Sequence, residues 1–320
     1  MEAPATPSIS EHQAELAGAP WLWPVDYCHL LAHGASIVLL IMFRHEATDV
    51  GFWCVWNVFV IGLVLGVARS LRRRSLRTGA LTRLCMATVI IPIYFTELGA
   101  LVTYVNPANW EQRLFDFDLW LCRGNPLEAI ERVSASWLTE LLQWVYDFYY
   151  FIPLLLGVAV WKQKRTVDVS RMIFALALCI YLSYLGYYLV PATGPNIDKF
   201  GLYDFQGPIR GLFLAAELRE TLFAIEKIKH NCFPSGHTAV SLLSLMLAWR
   251  FARPVVPVLL PLVAALIFST LYLRYHYVAD VLSGILLAVG SYALALWLHR
   301  FFELKHFSDP TLWSEHGDPN

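Results

Sequence analysis

The chain has 320 residues, 57% hydrophobic and only 15% charged, with a mean hydropathy of +0.51; this excludes an ordinary soluble domain and points to a membrane protein. Lys and Arg total 24 against 25 Asp and Glu, a net charge of -1 with neutral His, so nothing in the overall charge attracts nucleic acid and any electrostatic specialisation must be local. In chain order, residues 1–26 are expected to form a cytoplasmic tail. Its opening, MEAPATPSISEHQAELAGAP, is polar and lacks a basic stretch leading into an apolar core, so it does not read as a cleaved signal peptide.

Eight apolar runs follow with the length that a bilayer core requires: 27–43, 51–68, 84–105, 137–161, 171–190, 235–251, 254–273 and 277–299. Continuous runs of this kind satisfy their backbone as helices. The expected fold is an all-α polytopic bundle of about eight spans: a three-helix region over 27–105, an amphipathic interfacial segment over 106–136, a catalytic core over 137–299 containing a loop at 191–234, and a cytoplasmic tail at 300–320. The sixth run is among the shortest. Lys and Arg collect in three connections, RSLRRRSLRTGALTR (Arg69 to Arg83), WKQKR (Trp161 to Arg165) and RFAR (Arg250 to Arg253). Positive loops stay in the cytoplasm, so both termini are expected there, with 106–136, 191–234 and the turn around Tyr275 on the opposite side.

Two polar clusters then fall at that outer surface. In NCFPSGHTAV (Asn231 to Val240), Ser235 suits a helix N-cap, Gly236 lets an anion approach the backbone, and the free N–H groups of the helix start favour a phosphate. His237, one step further, can donate a proton. In STLYLRYHYVADVLSG (Ser269 to Gly284), His276 and Asp280 lie four apart and share a face if a helix begins there. The carboxylate then fixes the imidazole tautomer and leaves the second nitrogen free to attack.

These residues resemble the type 2 phosphatidic acid phosphatase superfamily, which also includes glucose-6-phosphatase and the vanadium haloperoxidases. PSGH at 234–237 and HYVAD at 276–280 match two of the three pieces of its signature. With YYLVPATGP (Tyr187 to Pro195) and WVYDFYYFIP (Trp144 to Pro153), the wording is most similar to the inositol phosphorylceramide synthase branch, which moves phosphoryl head groups between lipids. The resemblance covers about 137–299. It implies that His276 is a nucleophile forming a phosphohistidine, that Asp280 orients it, that His237 protonates the leaving oxygen, and that Ser235 and Gly236 hold phosphoryl oxygens. No metal and no cofactor are implied.

Two departures stand out. The Arg that the family's hydrolases carry six residues before the nucleophile is Thr270 here, and the Lys and Arg-Pro piece is absent. Arg274 and Lys229 are the candidate phosphate contacts in their place, with Lys199, Arg210, Arg219 and Lys227 also in the outer loop. The departures favour the lipid-transferase branch over a plain phosphatase.

Several features carry a bland reading beside a functional one. Asp147 and Tyr187 are candidates for a substrate pocket, against an acid satisfied by a neighbouring Tyr. Glu97 is a charge inside a span; His29 and His33 read as packed or interfacial; Gly62 and Gly66 read as helix packing; and the Arg72 to Arg74 run reads as a topology determinant. Cys122 and Cys232 alone fall in outer loops, where a disulfide is a further expectation.

The expected activity is cleavage of a lipid phosphate ester in two steps, with water or a lipid alcohol as acceptor. The partners are the lipid substrate and the bilayer, without nucleic acid, and the expected compartment is a bacterial inner membrane. A phosphatase of soluble phosphate esters and a non-catalytic transporter or scaffold are the alternatives.

Overall fold

The computed structural model describes residues 21–72, 74–163, 166–225 and 229–306. Most of the two expected tails, Arg73 of the arginine run, and Lys227 of the loop cations lie outside the described residues.

Every element in the order is helical. The first region holds α1 (Pro24–Met42), α2 (Val50–Leu71) and α3 (Leu76–Leu98), followed by a single turn, α4 (Val102–Val105). Two short helices, α5 (Glu111–Cys122) and α6 (Pro126–Glu131), make up the segment expected to be interfacial. The core contains α7 (Ser136–Asp147), α8 (Ile152–Lys162), α9 (Thr166–Leu189), α10 (Ala215–Ile225), α11 (Gly236–Phe251), α12 (Val256–Tyr272) and α13 (Val278–His306). The bundle is therefore polytopic and all-α.

Among the described residues, seven helical stretches are long and apolar enough to cross a membrane, with α7 and α8 counted as one. The eighth expected span is α11. Its 16 residues reach about 24 Å, short of the roughly 30 Å of a hydrocarbon core. It is nonetheless enclosed, packing on α13, α12, α9 and α8.

Local chemistry moves the expected boundaries. The third helix begins at Leu76 rather than 84 because the Ser75 hydroxyl accepts from the Thr78 amide at 3.2 Å, an N-cap that a hydropathy window does not register. The fourth span is interrupted by a 3-10 turn over Phe148–Phe151. Pro153 has no N–H to offer the preceding turn, so the hydrogen-bond ladder breaks there and α8 starts afresh.

Polar groups tie the first region together, as expected where lipid supplies no hydrophobic drive. Arg83 of α3 pairs with Asp26 of α1 at 2.7 Å, both buried, and its guanidinium lies 4.3 Å from the Trp23 ring centre. Glu97 accepts from Ser36 and from Asn57, the latter at 2.6 Å, and Asn57 meets His33 at 2.5 Å. This region joins the core mainly through α9. Asn106, beyond α3, donates to the carbonyls of Tyr188 and Leu189 at the end of α9, while Arg77 at the start of α3 stacks over Trp161 at the end of α8. The arginine-bearing α2–α3 connection thus lies at the end of the bundle opposite the C-terminal end of α9.

Candidate active site

Three connections meet at that C-terminal end of α9, laced by backbone hydrogen bonds. The Cys232 amide donates to the Ala192 carbonyl (3.2 Å), the Asn196 amide to Arg274 (2.7 Å), and the Ser235 amide to Asp280 (3.0 Å). Sequence positions near 192, 232 and 276 thereby share one place.

Ser235 caps α11, its hydroxyl accepting from the Thr238 amide at 3.2 Å. The amides of Gly236 and His237 belong to the first turn and have no carbonyl of their own helix to use. Two glycines allow this crowding. A Cβ on Gly284 of α13 would lie 2.6 Å from the Ser235 carbonyl oxygen, and one on Gly236 would lie 2.7 Å from the Tyr187 hydroxyl.

His276 sits just before α13, which starts at Val278, so the expected sharing of one helix face is met by a loop residue and a first-turn residue. Its Nδ1 lies 3.3 Å from Asp280 Oδ2, with both side chains buried. The same carboxylate oxygen accepts from the Tyr277 amide at 2.9 Å and from the Cys232 thiol at 2.6 Å. Oδ1 of Asp280 is buried and has no hydrogen-bond partner among the described residues. Burial pushes the Cys232 thiol well above its usual range, and the Asp280 charge beside it adds to the shift. With Nδ1 engaged, Nε2 is the nitrogen left for chemistry.

The His237 ring centre lies 6.0 Å from that of His276, close enough for both imidazoles to reach one phosphoryl group. His237 is held between two tyrosines: Tyr146 stacks on it at 4.4 Å with its hydroxyl 3.3 Å from Nδ1, and Tyr149 packs at 4.2 Å. Its Nε2 is buried without a hydrogen-bond partner among the described residues. Where Tyr146 donates to Nδ1 the ring is neutral with its proton on Nε2; to serve as a general acid it must carry a second proton, the Tyr146 hydroxyl then accepting from Nδ1–H.

Both histidines line a cavity of about 640 Å³. Gly236, Tyr187, Lys229, Cys232 and Tyr275 share its polar end. From there it continues between α3, α8 and α9 along Ile91, Phe95, Leu154, Ile173 and Leu176.

Arg274 is not brought to this cavity. Its φ of 63° is left-handed, and the guanidinium is committed to Glu131 (2.6 Å), the Gly207 carbonyl (2.9 Å) and the face of Phe205 (3.6 Å). The irregular backbone at this position directs the charge to Glu131 of α6 and away from His276. Lys229 is exposed at the cavity mouth. Arg219 lies over the Tyr275 ring at 5.9 Å with its buried Nε unpartnered among the described residues. Asp147 is half-buried, accepts from Gln143 at 3.2 Å, and does not line the cavity. Thr270 is buried, its hydroxyl donating to the Ile267 carbonyl.

The expected Cys122–Cys232 disulfide is not formed; both thiols are free, Cys122 exposed and Cys232 buried against Asp280. Sequence reasoning treated Cys232 only as a crosslink and chose Asp147 from WVYDFYYF, where Tyr146 and Tyr149 are the residues that touch His237. The available signal was the i, i+3 spacing of the two tyrosines, which lie on either side of the junction between α7 and the 3-10 turn. Three donor atoms, Cys232 Sγ, His276 Nδ1 and Asp280 Oδ2, also converge closely enough to hold a metal ion, from positions whose sequence separation gives no metal-site spacing.

The fold is thus a helical membrane bundle in which a buried His–Asp pair faces the capped start of α11, the two imidazole centres 6.0 Å apart. The PAP2 superfamily pattern matches residues 112–294, more than half of the chain, and the protein belongs to that superfamily. The match begins inside α5, ahead of the region over which the motifs alone carried the resemblance. A PA-phosphatase related-family protein of Dictyostelium discoideum is 24% identical over 238 residues, covering 61% of this chain and 41% of that relative, so the chain spans about two fifths of the relative's length. No solved structure matches the chain.

Proposed function

We propose that the protein is an integral-membrane phosphatase or phosphotransferase that cleaves a phosphate ester of a lipid through a phosphohistidine on His276. The observation that carries the lipid reading is the cavity: it is lined by His237, His276 and Lys229 and, over most of its remaining surface, by apolar side chains of α3, α8 and α9 with Leu222 and Phe223 of α10. A head group would sit at the histidines with an acyl or prenyl chain along Ile91, Phe95 and Leu176. A soluble sugar phosphate would have no use for that apolar length, and a carrier would have no use for a His–Asp pair.

In this reading His276 Nε2 attacks phosphorus while Asp280 steadies the imidazole through Nδ1. First-turn amides at Gly236 and His237 hold the phosphoryl oxygens, with Ser235 fixing that turn and Lys229 supplying charge from the mouth. His237, entering the step as imidazolium, gives its Nε2 proton to the leaving alkoxide and is left neutral. It then acts as base for the acceptor, water or a lipid hydroxyl, which takes the phosphoryl group from His276. Head-group transfer, as in the inositol phosphorylceramide synthase branch, is the preferred second step, because the charged residues that the sequence analysis associates with the family's hydrolases are replaced here. The site faces the non-cytoplasmic side, since the arginines of the α2–α3 connection lie at the opposite end and positive loops stay in the cytoplasm. A bacterial inner membrane with cytoplasmic termini fits that orientation.

The test is turnover of phosphate-labelled phosphatidic acid, polyprenyl pyrophosphate and phosphatidylinositol by purified protein, each with and without diacylglycerol or ceramide, beside His276→Ala. Loss of at least about 10³-fold in the variant is expected for removal of a nucleophile. Inorganic phosphate formed without acceptor defines a hydrolase, and label confined to a new lipid defines a transferase. Equal turnover by parent and variant would remove His276 from the reaction.

A further inference from the structure

The Cys232 thiol plays no part in the mechanism above, yet it lies within the His–Asp pair that the mechanism depends on. Its sulfur is 2.6 Å from Asp280 Oδ2 and 3.5 Å from His276 Nδ1, and those two atoms are 3.3 Å apart. Sulfur, nitrogen and oxygen ligands on a tetrahedral Zn²⁺ stand about 3.3–3.6 Å from one another, given metal–ligand lengths near 2.0–2.3 Å. Two of the three edges already have that length, and the short one is the edge where the thiol proton sits. Asp280 Oδ1, on a fully buried side chain, is left without a partner among the described residues. His276 and Cys232 also line the cavity, which provides an entry path and room for a water as fourth ligand.

We propose that Cys232, His276 and Asp280 form an inhibitory site for a thiophilic divalent cation of the Zn²⁺ type. Binding displaces the thiol proton to solvent and puts the metal on His276 Nδ1, so the imidazole's own proton moves to Nε2. The nitrogen that would attack phosphorus then carries hydrogen and has no lone pair to offer, and the Asp280 carboxylate is drawn from the imidazole to the metal. The cation is thus a switch on the nucleophile and not a cofactor. Thiolate, imidazole and carboxylate together select Zn²⁺ or Co²⁺ over Mg²⁺ or Ca²⁺, which prefer all-oxygen sites. The inhibitory effect rests on the reading of His276 as nucleophile; the binding site does not.

The test uses the full chain in detergent, stripped with chelator and titrated with Co²⁺ for spectra and with Zn²⁺ for activity. The comparison set is the parent, Cys232→Ser and Cys232→Ala, each read against its own metal-free rate. A thiolate-to-cobalt charge-transfer band in the parent that both variants lack, with Zn²⁺ inhibition weakened at least about tenfold in the variants, is the expected result. Mg²⁺ at the same concentrations should inhibit none of them. Identical cobalt spectra in parent and variants would overturn the site, and Zn²⁺ inhibition unchanged by Cys232→Ser would overturn its role as a switch. The reading of His276 as nucleophile fails separately, on an undiminished metal-free rate in His276→Ala. If Cys232→Ser proves too unstable to purify, the cobalt spectrum of Cys232→Ala decides the same question.

Discussion

Among the described residues the bundle contains two buried clusters of histidine and carboxylate, and they differ in a way that burial does not reveal. In the first region His33, Asn57, Ser36 and Glu97 join α1, α2 and α3; in the core His276, Asp280 and Cys232 join α13 to the loop before α11. Glu97 is 1% exposed and Asp280 is 0% exposed, so depth does not separate them. The first cluster is built from positions within helices, Glu97 in the last turn of α3, where the backbone amides are bonded inside the helix, and none of its members lines the large cavity. The second is built at helix starts and in the loop before one, where backbone amides and a side-chain nitrogen remain free to meet a substrate. On the proposed reading, a buried charge becomes a site when it lies at a helix start whose free amides open on a cavity.

Asp280→Asn bears on this contrast most sharply. The amide can keep the shape of the contact but cannot favour the charged imidazole that forms during transfer, so turnover should fall about 10²–10⁴-fold with the fold retained. Circular dichroism and size exclusion report the fold, and product formation the rate. A variant with near-parental turnover would move orientation of His276 to the Tyr277 loop.

Gly284→Ala tests whether the helix start itself is the device. The new Cβ would press on the Ser235 carbonyl, which must move, carrying the Gly236 and His237 amides with it. A displacement approaching 1 Å at a catalytic group costs up to about 10²-fold. A fall of roughly tenfold or more in kcat, with substrate binding less affected, is expected. Unchanged kcat would show that the cap can shift without consequence.

Asp118 links the α5 segment to the same place and sets a pH dependence. Its carboxylate accepts from the Val278 and Ala279 amides at 2.7 and 2.9 Å, so it caps α13 from outside. Burial raises its pKa to about 6, the Asp280 charge adds to that, and the two amides oppose it. Because the unfolded value lies near 4, the folded state binds the extra proton between those limits. Stability is then greatest below pH ~4 and declines through pH ~6 by at most on the order of 3 kcal/mol, after which this group contributes no further slope. Thermal unfolding across that window should show the decline in the parent and lose this component in Asp118→Asn; identical slopes would remove Asp118 as its source.

Much of this was legible in the residues. The spacing of His276 and Asp280 and the Ser235 cap are local, fixed by chemistry within four residues, and hydropathy marked the seven long helices. What escaped reading depended on contacts between distant segments. Arg274 finds Glu131 across 143 positions, and no local rule says that its guanidinium goes there and not to a phosphate. Cys232 meets Asp280 only because α11 and α13 cross at Gly284. The start of α3 at Leu76 followed from a capping serine inside a polar, arginine-rich stretch, where an average over many residues gives the wrong answer.

The smallest expected effect closes the comparison. Glu97→Gln keeps an oxygen to accept from Ser36 and Asn57 and places an amide where Oε2 now has no hydrogen-bond partner among the described residues. If the first cluster only holds α1, α2 and α3 together, the change should cost no more than about 0.6 kcal/mol, the average for an interhelical hydrogen bond in a membrane, and turnover should stay within about threefold of the parent. A larger loss has a specific physical route. Tyr94 stacks on Tyr184 at 5.9 Å, and Tyr184 neighbours Tyr187, whose hydroxyl abuts Gly236. Abolished turnover in a stable Glu97→Gln would mean that this tyrosine row couples the two clusters, and that the first cluster serves the reaction although it touches no substrate.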